Sequence, residues 1–295
     1  MSAVVATASG VSWARARGWR ATLWLLVPGV AFMLAFVVYP LCYGVGLSFQ
    51  APGGMFAAYQ KFFDDPYLRN SVWITLALSL PAALICVAGA VPLSYRMRGP
   101  LRGKRTLTAV IMVPMTLGSV FVADGMIDFL GPGGWFNRTL LAVHLISRPL
   151  VLIHNFTGVL LSMVISGFPL AFLLVLGYFS GLDPHLEQAA ATLGARPWQR
   201  FRLVLFPLLL PGLTITFALS FVLAFAVFPS ATLVGDPAGS TRVISIVAYT
   251  AYSQADYPSA SAIAVVMGVV ELVVLGVVFL IRGRLYRGPS GGGKG

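Results

Sequence analysis

Gly181-Leu-Asp-Pro-His-Leu-Glu-Gln-Ala-Ala-Ala-Thr-Leu-Gly-Ala-Arg-Pro-Trp-Gln-Arg-Phe-Arg-Leu-Val-Leu-Phe-Pro207 is a polar interruption between two long apolar runs, and its punctuation spells a short helix. Asp183 suits the cap, Pro184 the first helical position and Gly194 the left-handed residue that closes the end. Leu186, Ala189, Ala190 and Leu193 fall at i, i+3, i+4 and i+7, a narrow apolar face, with Glu187, Gln188 and Thr192 off it. Pro197 then starts a second helical segment that runs into the following apolar stretch. Two readings fit such a helix. It lies at a membrane surface or over its own protein, or it docks on a partner. Small alanines let a helix sit deeply in a groove, and a glycine hinge followed by a proline start fixes the angle at which force enters the next helix.

Working outward, the two flanking runs are members of a set. A helix of about 20 residues crosses a hydrocarbon core of about 30 Å, and six apolar runs reach that length: residues 23–47, 71–95, 106–130, 151–179, 203–228 and 259–281. The 295 residues are 58% hydrophobic and 10% charged, with a mean hydropathy of +0.87. That composition excludes a soluble enzyme and a disordered chain. The expected fold class is therefore all-α, a polytopic membrane protein of six transmembrane helices in the lipid bilayer. The first run is too long for a secretory h-region and has no small-x-small cleavage site, so it reads as an anchor.

Alternate loops differ in charge. Arg15, Arg17 and Arg20, the five basic residues from Arg96 to Arg105, Arg196, Arg200 and Arg202, and the four after Ile281 lie on one side, 15 in all; Lys61, Arg69, Arg138, Arg148 and Arg242 lie on the other. This bias places both termini in the cytoplasm. The net charge of +11 thus reports topology, and no nucleic-acid partner is expected. Cys42 and Cys86 sit in apolar runs without metal-site spacing and read as packing residues. Pro28, Pro40, Pro81, Pro92, Pro114, Pro169 and Pro211 fall inside the spans, which implies kinked helices packed around a cavity. Gly177 and Gly181 have small-xxx-small spacing. No internal repeat is visible, which counts against transporters built from inverted halves.

The loop resembles the EAA loop of the inner-membrane permeases of binding-protein-dependent ABC importers, whose pattern reads E-A-A-x3-G-x9-I-x-L-P. Gln188, Ala189, Ala190, Gly194, Val204, Phe206 and Pro207 occupy those places with every spacing kept. Gln stands for Glu, Val for Ile and Phe for Leu. The Gln removes a charge, although Glu187 is adjacent. The resemblance covers about residues 71–282, the permease core with the EAA loop at 181–207; residues 1–70 add an N-terminal segment, a first helix and an outer loop, and 283–295 a cytoplasmic tail.

This resemblance implies a type I importer subunit in the cell inner membrane. Its partners would be a second permease subunit, identical or homologous, a cytoplasmic ABC ATPase dimer and an extracytoplasmic solute-binding protein. The EAA helix, with Leu186, Glu187, Gln188, Ala189, Ala190, Leu193, Gly194 and Pro207, would couple to the ATPase. Such a chain is not an enzyme and binds no cofactor; ATP and Mg are used by the partner. One independent point agrees: the nearest P-loop candidate, from Gly99 to Arg105, has three residues between glycines where four are needed, and Arg in place of Ser or Thr.

Three carboxylates fall within the spans. A charge at the bilayer centre costs about 2.5–3.5 kcal/mol, so each should face the bundle or water. Asp124 and Asp128 share a face near the outer end of the third span and suit either a wet vestibule or a substrate path. Glu271, among valines and leucines of the sixth, is either hydrogen-bonded between helices or part of the path. His144, His154 and His185 form no ligand set. The tract 228–244 with 262–271 is similar to permeases for spermidine and putrescine, whose relatives are assigned to iron, thiamine, sulfate or aminophosphonates; a sugar is a further alternative. Cationic polyamines would suit Glu271, Asp124 and Asp128, yet the outer loops set four carboxylates, Asp64, Asp65, Asp236 and Asp256, against five basic residues. The competing class is an ion-coupled secondary transporter or channel using Glu271 and Asp124.

Overall fold

The computed structural model describes residues 26–99 and 102–285, which leaves the basic N-terminal segment, the first three residues of the first expected span and the last ten residues of the chain outside the described residues. Among the described residues the chain forms helices and no strand. Six helices are long and apolar enough to cross a membrane: α1 (Leu26–Ser48), α3 (Pro66–Met97), α4 (Lys104–Leu130), α6 (Phe156–Ser180), α8 (Pro197–Phe225) and α11 (Tyr257–Leu285). Five shorter ones decorate the connections: α2 (Ala57–Asp64), α5 (Trp135–Ala142), α7 (Pro184–Thr192), α9 (Pro229–Leu233) and α10 (Ile244–Ser253). The chain is thus a multi-pass membrane protein.

Caps, more than hydropathy, set the ends. The Asp65 side chain accepts the Tyr67 amide at 2.8 Å and starts α3 five residues ahead of the apolar run; Asn155 accepts the Gly158 amide at 2.8 Å and delays α6. Two prolines come with a local change of ladder. Pro40 and Pro207 each follow a π-helical turn, Leu34–Val38 and Phe201–Leu205. A proline has no amide to give and its ring crowds the preceding turn, and one extra residue in that turn relieves the conflict.

Helices α3, α6 and α8 form the centre. Cys86, Ala90, Phe172, Val175, Phe179 and Leu209 interdigitate there, fully buried or nearly so. Lipid tails are as apolar as these side chains, so close packing rather than water exclusion holds the helices together. The tight approach is at Gly212, where a Cβ would come within 2.5 Å of the Tyr178 ring; Gly177, flagged by its spacing, has open space at that position. Helix α4 packs on α6, α10 packs on α11, and α1 leans on α11. Alternating direction puts the ends of α3, α6 and α11 and the starts of α1, α4 and α8 at the same end of the bundle as α7, which touches the end of α3 and the start of α8.

At the opposite end, Asp256 caps α11. Its carboxylate accepts the Ser259 amide at 3.2 Å and the Lys61 ammonium at 2.9 Å, which ties α2 to the last helix. Burial pushes this carboxyl up, but the hydrogen bonds from Lys61 and Ser259 outweigh it and hold the group below the ordinary carboxylate range. A depressed folded value means that the stabilisation is complete at neutral pH and is lost as pH falls through that value. Asp256→Ala is expected to lower stability by about 1 kcal/mol at neutral pH. Thermal unfolding in detergent checks this: the gap between variant and parent should close in strong acid.

Candidate functional site

Helix α7 is built as its residues require. The Asp183 carboxylate accepts the His185 amide at 2.9 Å, Pro184 takes the first helical position, and the far end closes with the Ala195 amide on the Ala190 carbonyl (3.1 Å) and the Gly194 amide on the Ala191 carbonyl (3.0 Å). These two bonds make a Schellman end, with Gly194 in the left-handed region at φ +81°. The outer face is bare. Leu193 is 88% exposed, Leu186 44%, and Gln188 and Ala189 are exposed beside them. Trp198, on the next turn of chain, adds an exposed ring. Contiguous apolar surface of this kind on a helix without one buried residue has no role in the chain's own packing.

The inner side differs. Glu187 turns under the helix, where its carboxylate accepts hydrogen bonds from the Arg98 guanidinium and from the Tyr95 hydroxyl (3.3 Å) and stands 3.7 Å from Arg200 Nη1. Tyr95 and Arg98 belong to the end of α3, and Arg200 to the start of α8. An aromatic cluster supports them: the Phe201 ring lies 5.4 Å from Tyr95 and 5.7 Å from Trp198, and Phe179 5.9 Å from Tyr95. Pro197 starts α8 as expected, and the Arg196 amide donates to Gln199 Oε1 at 2.8 Å. Half-buried Pro207 sits just beyond the π turn, at the start of the transmembrane part of α8.

Farther along the bundle a cavity of about 270 Å³ opens between α3, α4, α6, α8 and α9. Hydroxyls of Ser119, Ser166, Ser220 and Ser230 line it with Cys86 and small residues, and no charged side chain does. Ser230 accepts from Ser162 at 3.0 Å, while Ser220 Oγ is buried with no partner among the described residues. Next to Ser119, Gly118 breaks the helical course of α4 with φ +79° and ψ 158°. Irregular backbone at membrane depth belongs where it borders protein or a water-filled space.

The carboxylates flagged in the spans lie elsewhere. Asp124 and Asp128 are exposed near the end of α4, and Glu271 is half-buried on α11; none borders the cavity, and none has a side-chain hydrogen bond or ion pair among the described residues. No group of three His, Cys, Asp or Glu residues positioned for a metal occurs among the described residues. Tyr95, Arg98 and Arg200 around Glu187, and the serines at the cavity, are groupings that the sequence did not announce. One signal was available: of nine acidic residues, only Asp183 and Glu187 lie at the strongly basic end, and Asp183 is used as a cap.

A six-helix membrane bundle with a bare amphipathic helix clamped to one end and a largely apolar cavity, dotted with serine hydroxyls, farther along it has the build of a transport subunit. The chain belongs to the family of binding-protein-dependent transport system inner membrane components, which matches residues 50–288. It is similar to a probable sulfate transport system permease of Prototheca wickerhamii, 31% identical over 74% of this chain and 83% of the relative. It is also similar to the spermidine/putrescine transport system permease PotB of Haemophilus influenzae, 27% identical over 70% of this chain and 74% of the relative. A chain in the crystal structure of a bacterial ABC transporter involved in import of the acidic polysaccharide alginate shares the fold, with a TM-score of 0.79 over 93% of this chain and 99% of that one at 19% identity. A second structure of the alginate transporter, in complex with a periplasmic protein bound to an alginate pentasaccharide, superposes equally well, at 20% identity over 93% of this chain and 98% of that one. The chain is therefore a permease subunit of an ABC importer and not itself an enzyme; the ATPase is a separate subunit.

Proposed function

We propose that this chain forms half of the transmembrane path of an inner-membrane importer and that the bare face of α7 docks on a cytoplasmic ABC ATPase. A second permease subunit completes the path, and a solute-binding protein delivers to the opposite end; the alginate transporter that shares the fold is seen in complex with a pentasaccharide-bound periplasmic protein. ATP and Mg are used by the ATPase, and this chain binds no cofactor. The observation that carries the reading is the combination on one helix of an exposed apolar face and a clamped inner side. An ion-coupled transporter has no use for such a face. The test is purification of the tagged chain with a candidate ABC ATPase and a candidate solute-binding protein: hydrolysis stimulated by the loaded binding protein supports the reading, and a chain that transports without any ATPase overturns it.

Sidedness follows from the charge bias, with both termini and α7 in the cytoplasm. Single cysteines at Gly99 and Gly134, in a background lacking Cys42 and Cys86, should react from opposite faces. Labelling of both by an impermeant reagent added outside intact cells overturns the topology.

For the solute, the cavity is uncharged and largely apolar with four serine hydroxyls, which favours a small neutral compound that makes a few hydrogen bonds over a charged one. A polyamine buried there would meet no carboxylate, and an unpaired cation in such a site is expensive to desolvate. Relatives named for sulfate, spermidine and putrescine, maltose, ferric ion and thiamine span too many chemistries to narrow this further.

A further inference from the structure

Glu187 lies off the apolar face, one place before the residues that match the EAA pattern, and its surroundings give it a role of its own. Its side chain is 15% exposed, against 20% for Arg98 and 24% for Arg200. One carboxylate thus serves two guanidiniums. Arg98 Nη1 and Arg200 Nε are buried with no partner among the described residues, so no second acceptor shares the load. Charges removed this far from solvent are weakly screened, and deleting the acid leaves two cations facing each other.

What the cluster connects is the point. Helix α7 reaches α8 through the backbone, across the short link from Leu193 to Arg196. It has no such route to α3, which lies about ninety residues earlier; among the described residues, the hydrogen bonds and ion pairs between the two run through Glu187 to Tyr95 and Arg98. Both gripped helices line the cavity. Cys86 is twelve residues before Arg98 on α3, about 18 Å along the axis, and Ser220 is twenty residues after Arg200 on α8, about 30 Å.

Building on the docking reading above, we propose that Glu187 is a positioning residue that fastens α7 to α3 as well as to α8, so that a displacement of α7 moves two walls of the cavity together. Without it the displacement passes to α8 alone. The bare outer face still docks, but the motion no longer opens the path as a unit.

The test uses the complete transporter in nanodiscs, with spin labels on cysteines at Thr192 and Gly99 in a background lacking Cys42 and Cys86. Double electron–electron resonance reads the distance between α7 and the end of α3. Glu187→Gln should broaden that distribution and cut the stimulation of ATP hydrolysis by the binding protein about tenfold, a mid-range value for coupling between sites, while the ATPase still co-purifies. The exchange Glu187→Arg with Arg98→Glu keeps the charge count and should narrow the distribution again and restore most of the stimulation. A Glu187→Gln distribution as narrow as the parent's, or an exchanged pair as defective as the single variant, overturns the proposal. A parent chain that holds no ATPase sinks the docking reading and the transmission role with it; the same distance measurement repeated on the labelled permease without its ATPase distinguishes that failure from an absent clamp.

Discussion

Replacing Leu193 with glutamate should release the ATPase from a permease that is otherwise correctly folded. Leu193 is 88% exposed and touches nothing that holds the bundle together, so the change has little to disturb in the chain itself. On a docked α7 the same side chain sits at the C-terminal end of the apolar face that Leu186 and Ala189 share. A carboxylate carried into a desolvated groove without a partner is costly, and loss of an apolar anchor weakens an interface by about 2 kcal/mol or more, about thirtyfold in affinity. Gly194→Val should act on the same interface by a different route. At φ +81° a β-branched side chain is strained by about 1–2 kcal/mol, although a Cβ there meets nothing within 4 Å. The helix end must rearrange and Leu193 swings with it. Membrane level, thermal unfolding and the amount of ATPase recovered with the tagged chain should be measured together. Normal ATPase recovery with Leu193→Glu would remove α7 as the docking element.

That contrast between an outer face readable in one dimension and an inner side that is not runs through the molecule. The six spans could be read because the bilayer imposes a local demand, about 20 apolar residues in sequence, and the start and stop of α7 could be read because capping is also local. Glu187 could not. Its partners Arg98 and Arg200 had already been counted as topology signals, and only the fold brings a residue from the end of α3 beneath α7. The short helices α2, α5 and α10 lie in connections whose polar content reads as loop until they are seen packed against long helices. The expectation that span prolines kink helices around a cavity was general; that Pro40 and Pro207 are each absorbed by a π turn depends on neighbours in three dimensions. The cavity serines had no distinguishing spacing. The carboxylates drew attention because charge in a span is rare, yet rarity did not bring Asp124, Asp128 or Glu271 to the cavity. Among 31 glycines, Gly118 and Gly212 carry structure that composition does not mark.

Gly118 supports the second large effect. Its φ of +79° with ψ of 158° lies in a region open to glycine and nearly closed to every other residue, at a strain of about 1–3 kcal/mol. A Cβ built there meets nothing within 4 Å, so any effect of Gly118→Ala comes through the backbone and not from crowding. The substituted chain relieves the strain by closing the break toward regular helix. Alanine gains about 1 kcal/mol over glycine in helix propensity once it does so, and Ser119, the next residue, rotates away from the cavity it now lines. Stability and activity should therefore part company: Gly118→Ala unfolds at the same temperature or higher, while ATP hydrolysis stimulated by the binding protein falls severalfold. Pro114, one turn earlier, already weakens the ladder on that side and makes the break easier to hold open. A cysteine at Ser119 reports the geometry directly. In a background without Cys42 and Cys86 it should react with a small water-soluble maleimide when Gly118 is present, and slowly when position 118 carries alanine. Equal reaction rates with unchanged stimulation would show that the break is incidental to the cavity, and a loss of folded protein would show that it is needed for assembly and not for the path.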